Sequence, residues 1–142
     1  MNFIKKHKKI TIDLLLFLSI FIISFLVTYM IIPIWSDQIW SYGFSYNISK
    51  GMIIYRDFNV VQTPLYFFIA SIFIKIFGNY MIVTGILDSL LIAGIGLIMF
   101  KTIKWKAIFP LLAIIIIVPS PYNILCTFLL MIILFFIHNE KY

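Results

Sequence analysis

Charge is what this chain has least of. Five acidic residues and a single arginine, Arg56, stand among 142 residues, and charged side chains make up 11% of the total. A soluble domain carries about 25% charged residues. With 63% of the residues hydrophobic, an ordinary soluble fold is excluded. The lone cysteine, Cys126, excludes an intrachain disulfide, and its place inside an apolar run reads as a small buried hydrophobe. Short segments of alternating polarity, which a transmembrane β-barrel needs, do not dominate the apolar runs. The net charge of +6 does not indicate nucleic acid as a partner, because most of it sits in two lysine clusters beside apolar runs.

What the chain does have is length without charge. The runs 14–34 and 81–100 each hold about 20 residues, enough to cross a hydrocarbon core of roughly 30 Å as a helix. The expected fold is therefore all-α: a multi-spanning helical membrane protein with about four transmembrane helices, plus juxtamembrane helices in the first outer loop. It reads as a single membrane domain over 1–142. Its parts are a cytoplasmic basic head (1–10), a first span (11–34), an outer loop (35–79), a second span (80–100) and a short span pair (107–118 and 124–137).

Lys5, Lys6, Lys8 and Lys9 precede the first run, which is longer than a signal-peptide core and lacks a small-x-small cleavage site. A retained anchor with its lysines in the cytoplasm is expected, with Asp13 satisfying free N–H groups of a first helical turn. Pro33 and Trp35 close that helix on the outer side, with Trp35 and Trp40 placed like an interfacial aromatic belt. From Trp40 to Ser49 the apolar and small residues alternate, which by period alone is a strand signal. A lone strand would leave its backbone unpaired, so a helix along the interface is expected, with Asp37, Trp40, Phe44 and Ile48 on one stripe. Gly51 then stops that helix and 55–61 forms a loop.

The segment 63–77 resembles a span but is short and carries Lys75. If it crossed, the next helix would deliver Lys101, Lys104 and Lys106 to the outer side, against the positive-inside rule. It is therefore expected to lie partly in the outer interface. Gly78-Asn79 turns the chain into the second span, and the proline-bearing stretch 119–123 separates the last pair. Both termini are then cytoplasmic, in a multi-pass protein of the cell membrane. Asp88, within the second span, is an ionisable group at bilayer depth with no basic partner evident in the sequence. It is either hydrogen-bonded within the bundle or directly functional.

The polar residues concentrate in 36–66, which surrounding spans force into water, the headgroup layer or a protein-lined cavity. Asp37-Gln38, Gly51, Tyr55-Arg56-Asp57-Phe58, Thr63-Pro64-Leu65-Tyr66 and the run Phe73 to Gly78 together resemble the polytopic glycosyltransferases of the GT-C class. The likeness is to the protein-mannosyltransferase and aminoarabinose-transferase-like group, glycosyltransferase family 39. It covers nearly the whole chain, most specifically 37–78. Gln38 stands where that family has a second acid, and Gln62-Thr63 where lysine or glutamate often precedes the proline.

The resemblance implies transfer of a sugar from a polyprenyl-phosphate donor to a hydroxyl acceptor on the outer face. The chain would be the N-terminal part of such an enzyme, inactive by itself. Asp37 is the expected catalytic base, its structural alternative being a cap on the juxtamembrane helix. Arg56, Asp57, Tyr55, Gln62 and Tyr66 are the expected substrate-binding residues. Arg56 suits the leaving phosphate, because its planar fork binds phosphate bidentately. Asp57 orders Arg56, ligates a metal or caps a turn, while Tyr55 and Tyr66 stack on sugar, position the prenyl phosphate or anchor at the interface. The cofactor is open, a divalent metal being one candidate. Partners are the donor, the lipid bilayer, and further spans or another membrane subunit. The rival expectation is a non-catalytic small multi-pass subunit or remnant that binds a partner through its outer loop.

Overall fold

The computed structural model describes residues 2–31, 36–117 and 120–140. Its elements are helical: α1 (Asn2–Phe25) running into a π-helical segment (Leu26–Ile31), α2 (Ser36–Ser49), α3 (Leu65–Phe77), α4 (Met81–Ile103), a 3₁₀ turn (Lys104–Ala107), α5 (Ile108–Ile117) and α6 (Pro121–Glu140). Three stretches are long and apolar enough to cross a membrane: Lys9–Tyr29, Met81–Ile116 and Pro121–Asn139. The all-α, multi-span fold is thus what the chain adopts. The alternation after Trp40 is helical, as the backbone-pairing argument required. Pro33, Trp35 and Pro119, expected at span ends, lie outside the described residues.

Two contacts define the ends of the bundle. At one end, Asp13 of α1 pairs with Lys101 of α4 at 3.0 Å. At the other, the Asp37 carboxylate in the first turn of α2 accepts hydrogen bonds from Ser120 at 2.6 Å and Tyr122 at 3.0 Å. Asp13 lies well inside α1, so it caps nothing, contrary to expectation; helix formation begins a few turns earlier and its carboxylate serves an interhelical ion pair instead.

The stretch 81–116 is not one rod. Lys104, at φ 53°, breaks it after α4, and α5 folds back so that Leu111 packs on Gly96. A Cβ at Gly96 would lie 2.8 Å from Ile20 and 3.2 Å from Leu111, so the missing side chain is what lets α1, α4 and α5 meet. Only 10 residues long, α5 covers about 15 Å, less than a full crossing. It nonetheless carries the chain from the Lys101 end towards Ser120, and its contacts reach the π-helical segment. Around Gly96 the core is Ile20, Ile92, Ile95, Leu111, Ile115 and Ile124.

On α1, Leu14, Leu15, Ile22 and Ile23 are exposed, as are Leu130, Ile133, Leu134 and Phe136 on α6. Apolar faces of this kind suit lipid rather than water. Cys126 is exposed too, not buried as expected, because it falls outside the α6 face that carries the buried Ile124 and Leu125.

The exit of α3 returns to the Asp37 end, beside α2. Tyr42 of α2 donates to the Asn79 carbonyl at 3.0 Å, so the turn leaving α3 sits beside the helix that precedes it. A crossing α3 would have carried Asn79 to the opposite end. Packing of α2 uses Ser41, Ser45 and Ile48, with Trp40 60% exposed, so the buried face is rotated from the expected stripe. Small serines let α3 approach closely, and Ser45 satisfies its own hydroxyl on the Ser41 carbonyl at 2.6 Å. At its end, Gly51 (φ 91°) forms a Schellman cap: Met52 N–H bonds the Asn47 carbonyl and Gly51 N–H that of Ile48.

Candidate functional site

Of the polar residues singled out in the sequence, Asp37 is the best placed for chemistry. It sits half-buried at the mouth of the bundle, on a helix rather than a loop. Ser120 and Pro121 start α6, with Pro121 in the first turn where no N–H is needed. The Ser120 hydroxyl donates to Asp37 Oδ2, and the Tyr122 hydroxyl donates to the same oxygen. The carboxylate thus faces the positive end of α6, where an anion is favoured.

Beside it a partly enclosed cleft of about 10 Å³ runs into the bundle, room for roughly one water. Gln38 and Met81 stand at its Asp37 end, and Thr28, Thr84 and Asp88 line it further in. Thr28 lies in the π-helical segment, where its hydroxyl bonds the Ser24 carbonyl at 2.6 Å and competes with the normal helical N–H. Tyr29 closes one wall over Gly85, whose absent Cβ would fall 2.6 Å from the ring.

Asp88 is buried, and Tyr66 donates to its Oδ1 at 2.8 Å. This pair was not legible as such in the sequence: the two residues are 22 apart and on different helices. The signal that could have found it is the aromatic hydroxyl at the start of α3, which must bury a polar tip. Tyr66, expected to bind substrate, is 0% exposed, and its hydroxyl is directed to Asp88. Phe67 packs edge-on to it at 6.0 Å.

Arg56 and Asp57 pair with each other in the loop after α2. Arg56 Nε and Nη2 each donate to an Asp57 carboxylate oxygen at 2.9 Å. Asp57 also accepts the Ile53 N–H at 2.8 Å, closing a five-residue loop that includes Tyr55 at φ 67° and an isolated bridge between Ile54 and Phe58. The Arg56 guanidinium and the Ile53 amide hold the Asp57 carboxyl below the usual carboxylate range. Phe58 stacks on Phe44 at 5.7 Å and thereby docks the loop on α2. Phe44 lies seven residues from Asp37 on the same helix, about 10 Å along its axis. Tyr55 is 65% exposed and Gln62 partly so.

The expected residues therefore form two groups, Asp37 at the α6 terminus and Arg56–Asp57 on the loop, with Tyr66 withdrawn into the core. Ser120, Tyr122, Thr28 and Thr84 are additions that sequence reasoning missed. Among the described residues no three His, Cys, Asp or Glu side chains gather as a metal cluster. Compared with protein-family models, curated proteins and solved structures, the chain has no match.

Proposed function

We propose that this chain is part of a membrane glycosyltransferase that moves a sugar from a polyprenyl-phosphate donor to a hydroxyl acceptor at the outer membrane face. The Asp37 end of the bundle is the outer side, and the lysine-bearing end and both termini are cytoplasmic, in keeping with the positive-inside rule. The observation that carries the reading is Asp37 itself: a carboxylate fixed on a helix, beside a cleft that Gln38, Thr28, Thr84 and Asp88 help to line. The likeness of 37–78 to GT-C transferases supports the same assignment.

In the reaction, the acceptor oxygen forms a bond to the anomeric carbon as the bond from that carbon to the phosphate oxygen breaks. The acceptor proton passes to Asp37, and the lipid phosphate leaves with the bonding pair. Arg56 meets the leaving charge. Its pairing with Asp57 engages Nε and Nη2, which leaves Nη1 for phosphate.

A second reading, a non-catalytic subunit that docks a partner, is favoured by Val61 and Ile53, 99% and 50% exposed on the same loop. Donor titration separates the two. The chain in lipid nanodiscs, titrated with labelled polyprenyl-phosphate sugars, should retain donor saturably, and Arg56→Ala should weaken retention about tenfold or more. Retention no greater than in empty nanodiscs rejects the transferase reading.

A further inference from the structure

The cleft where the π-helical segment, α2, α4 and α6 meet gathers four oxygen-bearing side chains among Tyr29, Met81, Gly85 and Ile124. Thr28 donates its hydroxyl proton to the Ser24 carbonyl, and Thr84 donates its own to the Met81 carbonyl at 2.8 Å. A hydroxyl has one proton, so both oxygens present lone pairs alone. Gln38 brings an amide oxygen and Asp88 a carboxylate. Thr28, Thr84 and Asp88 are each more than nine-tenths buried.

The carboxylate also needs a countercharge. The ion pairs among the described residues are Arg56–Asp57 and Asp13–Lys101, and neither touches Asp88. The Tyr66 hydroxyl supplies a single donor to one oxygen. An anion at bilayer depth with that little compensation is costly, so a positive charge belongs at its other side. A proton alone would need one acceptor and no cavity. Here there are four oxygen-bearing side chains around a space of about 10 Å³, the size of one water or one small dehydrated ion. Oxygen ligands favour hard cations, and a single carboxylate matches a single positive charge rather than a divalent metal.

We propose that Thr28, Gln38, Thr84 and Asp88 form a binding site for one sodium ion, entered from the Asp37 end of the bundle. The ion neutralises Asp88 and joins α1 to α4 through the two threonine oxygens, while Tyr66 fixes the carboxylate orientation from α3. The site is independent of the transfer chemistry: it survives if the chain proves to have no donor.

The test is equilibrium binding of radioactive sodium to the chain in nanodiscs, with choline chloride holding ionic strength constant. The expected result is saturable uptake approaching one ion per chain. Asp88→Asn should lower affinity at least tenfold. Thr84→Val, which leaves the Tyr66–Asp88 bond in place, should lower it several-fold, and it serves alone if Asp88→Asn does not fold. Tyr66→Phe should still bind sodium. Absence of saturable uptake by the wild-type chain overturns the proposal, leaving a cleft that holds water or a protonated Asp88. Wild-type affinity in Thr84→Val overturns it as well.

Discussion

Ser120 donates its hydroxyl proton to Asp37 across 2.6 Å, joining residues 83 apart in sequence. The bond fixes the start of α6 beside the start of α2. With the Asp13–Lys101 pair at the opposite end, it orders the chain as two faces rather than as a list of spans. The exit of α3 belongs to the Asp37 end too, because the Tyr42 bond to Asn79 holds it there.

Single cysteines at Lys50 and Lys104, in a Cys126→Ala background, should report this order in intact cells. Both lysines are exposed, one on each face. Lys50→Cys should react with a membrane-impermeant maleimide and Lys104→Cys should not until the membrane is opened. The reverse pattern would invert the orientation. Equal labelling of both would remove the two-face order itself.

Tyr66 and Asp88 should be coupled energetically. Removing the hydroxyl in Tyr66→Phe leaves a buried carboxylate short of its only side-chain donor among the described bonds. In a membrane protein such a bond contributes about 1–2 kcal/mol. Unfolding in mixed micelles should show a loss of that size for Tyr66→Phe, and a much smaller further loss when Tyr66→Phe is added to Asp88→Asn. Additive losses would mean that the contact does no work.

How legible was all this in the sequence? The apolar spans were, because a run such as 14–34 has one physical solution in lipid. The Gly51 stop was legible as well, since few other residues take φ 91°. Asp37–Ser120 and Tyr66–Asp88 were not. Both are side-chain contacts between separate elements, and hydropathy says which helices insert but not how they rotate against one another. The same gap explains Cys126 and Trp40: an apolar run does not say which of its faces meets lipid. Asp13 was misjudged for a different reason, since the basic head extends the helix backwards past the point where hydropathy begins.

Protonation should open the small loop after α2. Asp57 is held below its ordinary value chiefly by the Arg56 hydrogen bond, then by the Ile53 N–H. A depressed folded value means the loop contact stabilises above the unfolded value of about 3.9 and fades as pH falls through the folded one. Carbon-13 titration of the Asp57 carboxyl should therefore give a midpoint under about 3.9, moving upward in Arg56→Gln. A wild-type midpoint at or above that value contradicts the geometry.

Gly85→Ala should be destabilising although alanine is the better helix former. The new methyl would sit 2.6 Å from the Tyr29 ring, on carbons that cannot swing away as a flexible chain end does. Displacing that ring should outweigh the gain in helix propensity and leave a net loss of about 1–2 kcal/mol. Tyr29→Ala in the same chain should recover part of it. Wild-type stability in Gly85→Ala would show that Tyr29 packs on α4 loosely enough to move aside.

Asp37 and Asp57 should separate into a base and a binding element. Asp37→Asn keeps the size of the side chain, and its amide oxygen can still accept from Ser120 and Tyr122, so the tie between α2 and α6 survives. What it loses is the capacity to take a proton. On the proposed transferase reading, single-turnover rates should fall by roughly 10²–10⁴-fold with donor affinity nearly unchanged. Asp57 is a poorer base, because its partner Arg56 favours the charged form. Asp57→Asn should instead loosen the loop that presents Arg56, weakening donor binding more than the chemical step. If Asp37→Asn retains its turnover while Asp57→Asn abolishes it, the two roles are exchanged. If Asp37→Asn unfolds the chain, the carboxylate is structural, and its assignment as the base is rejected.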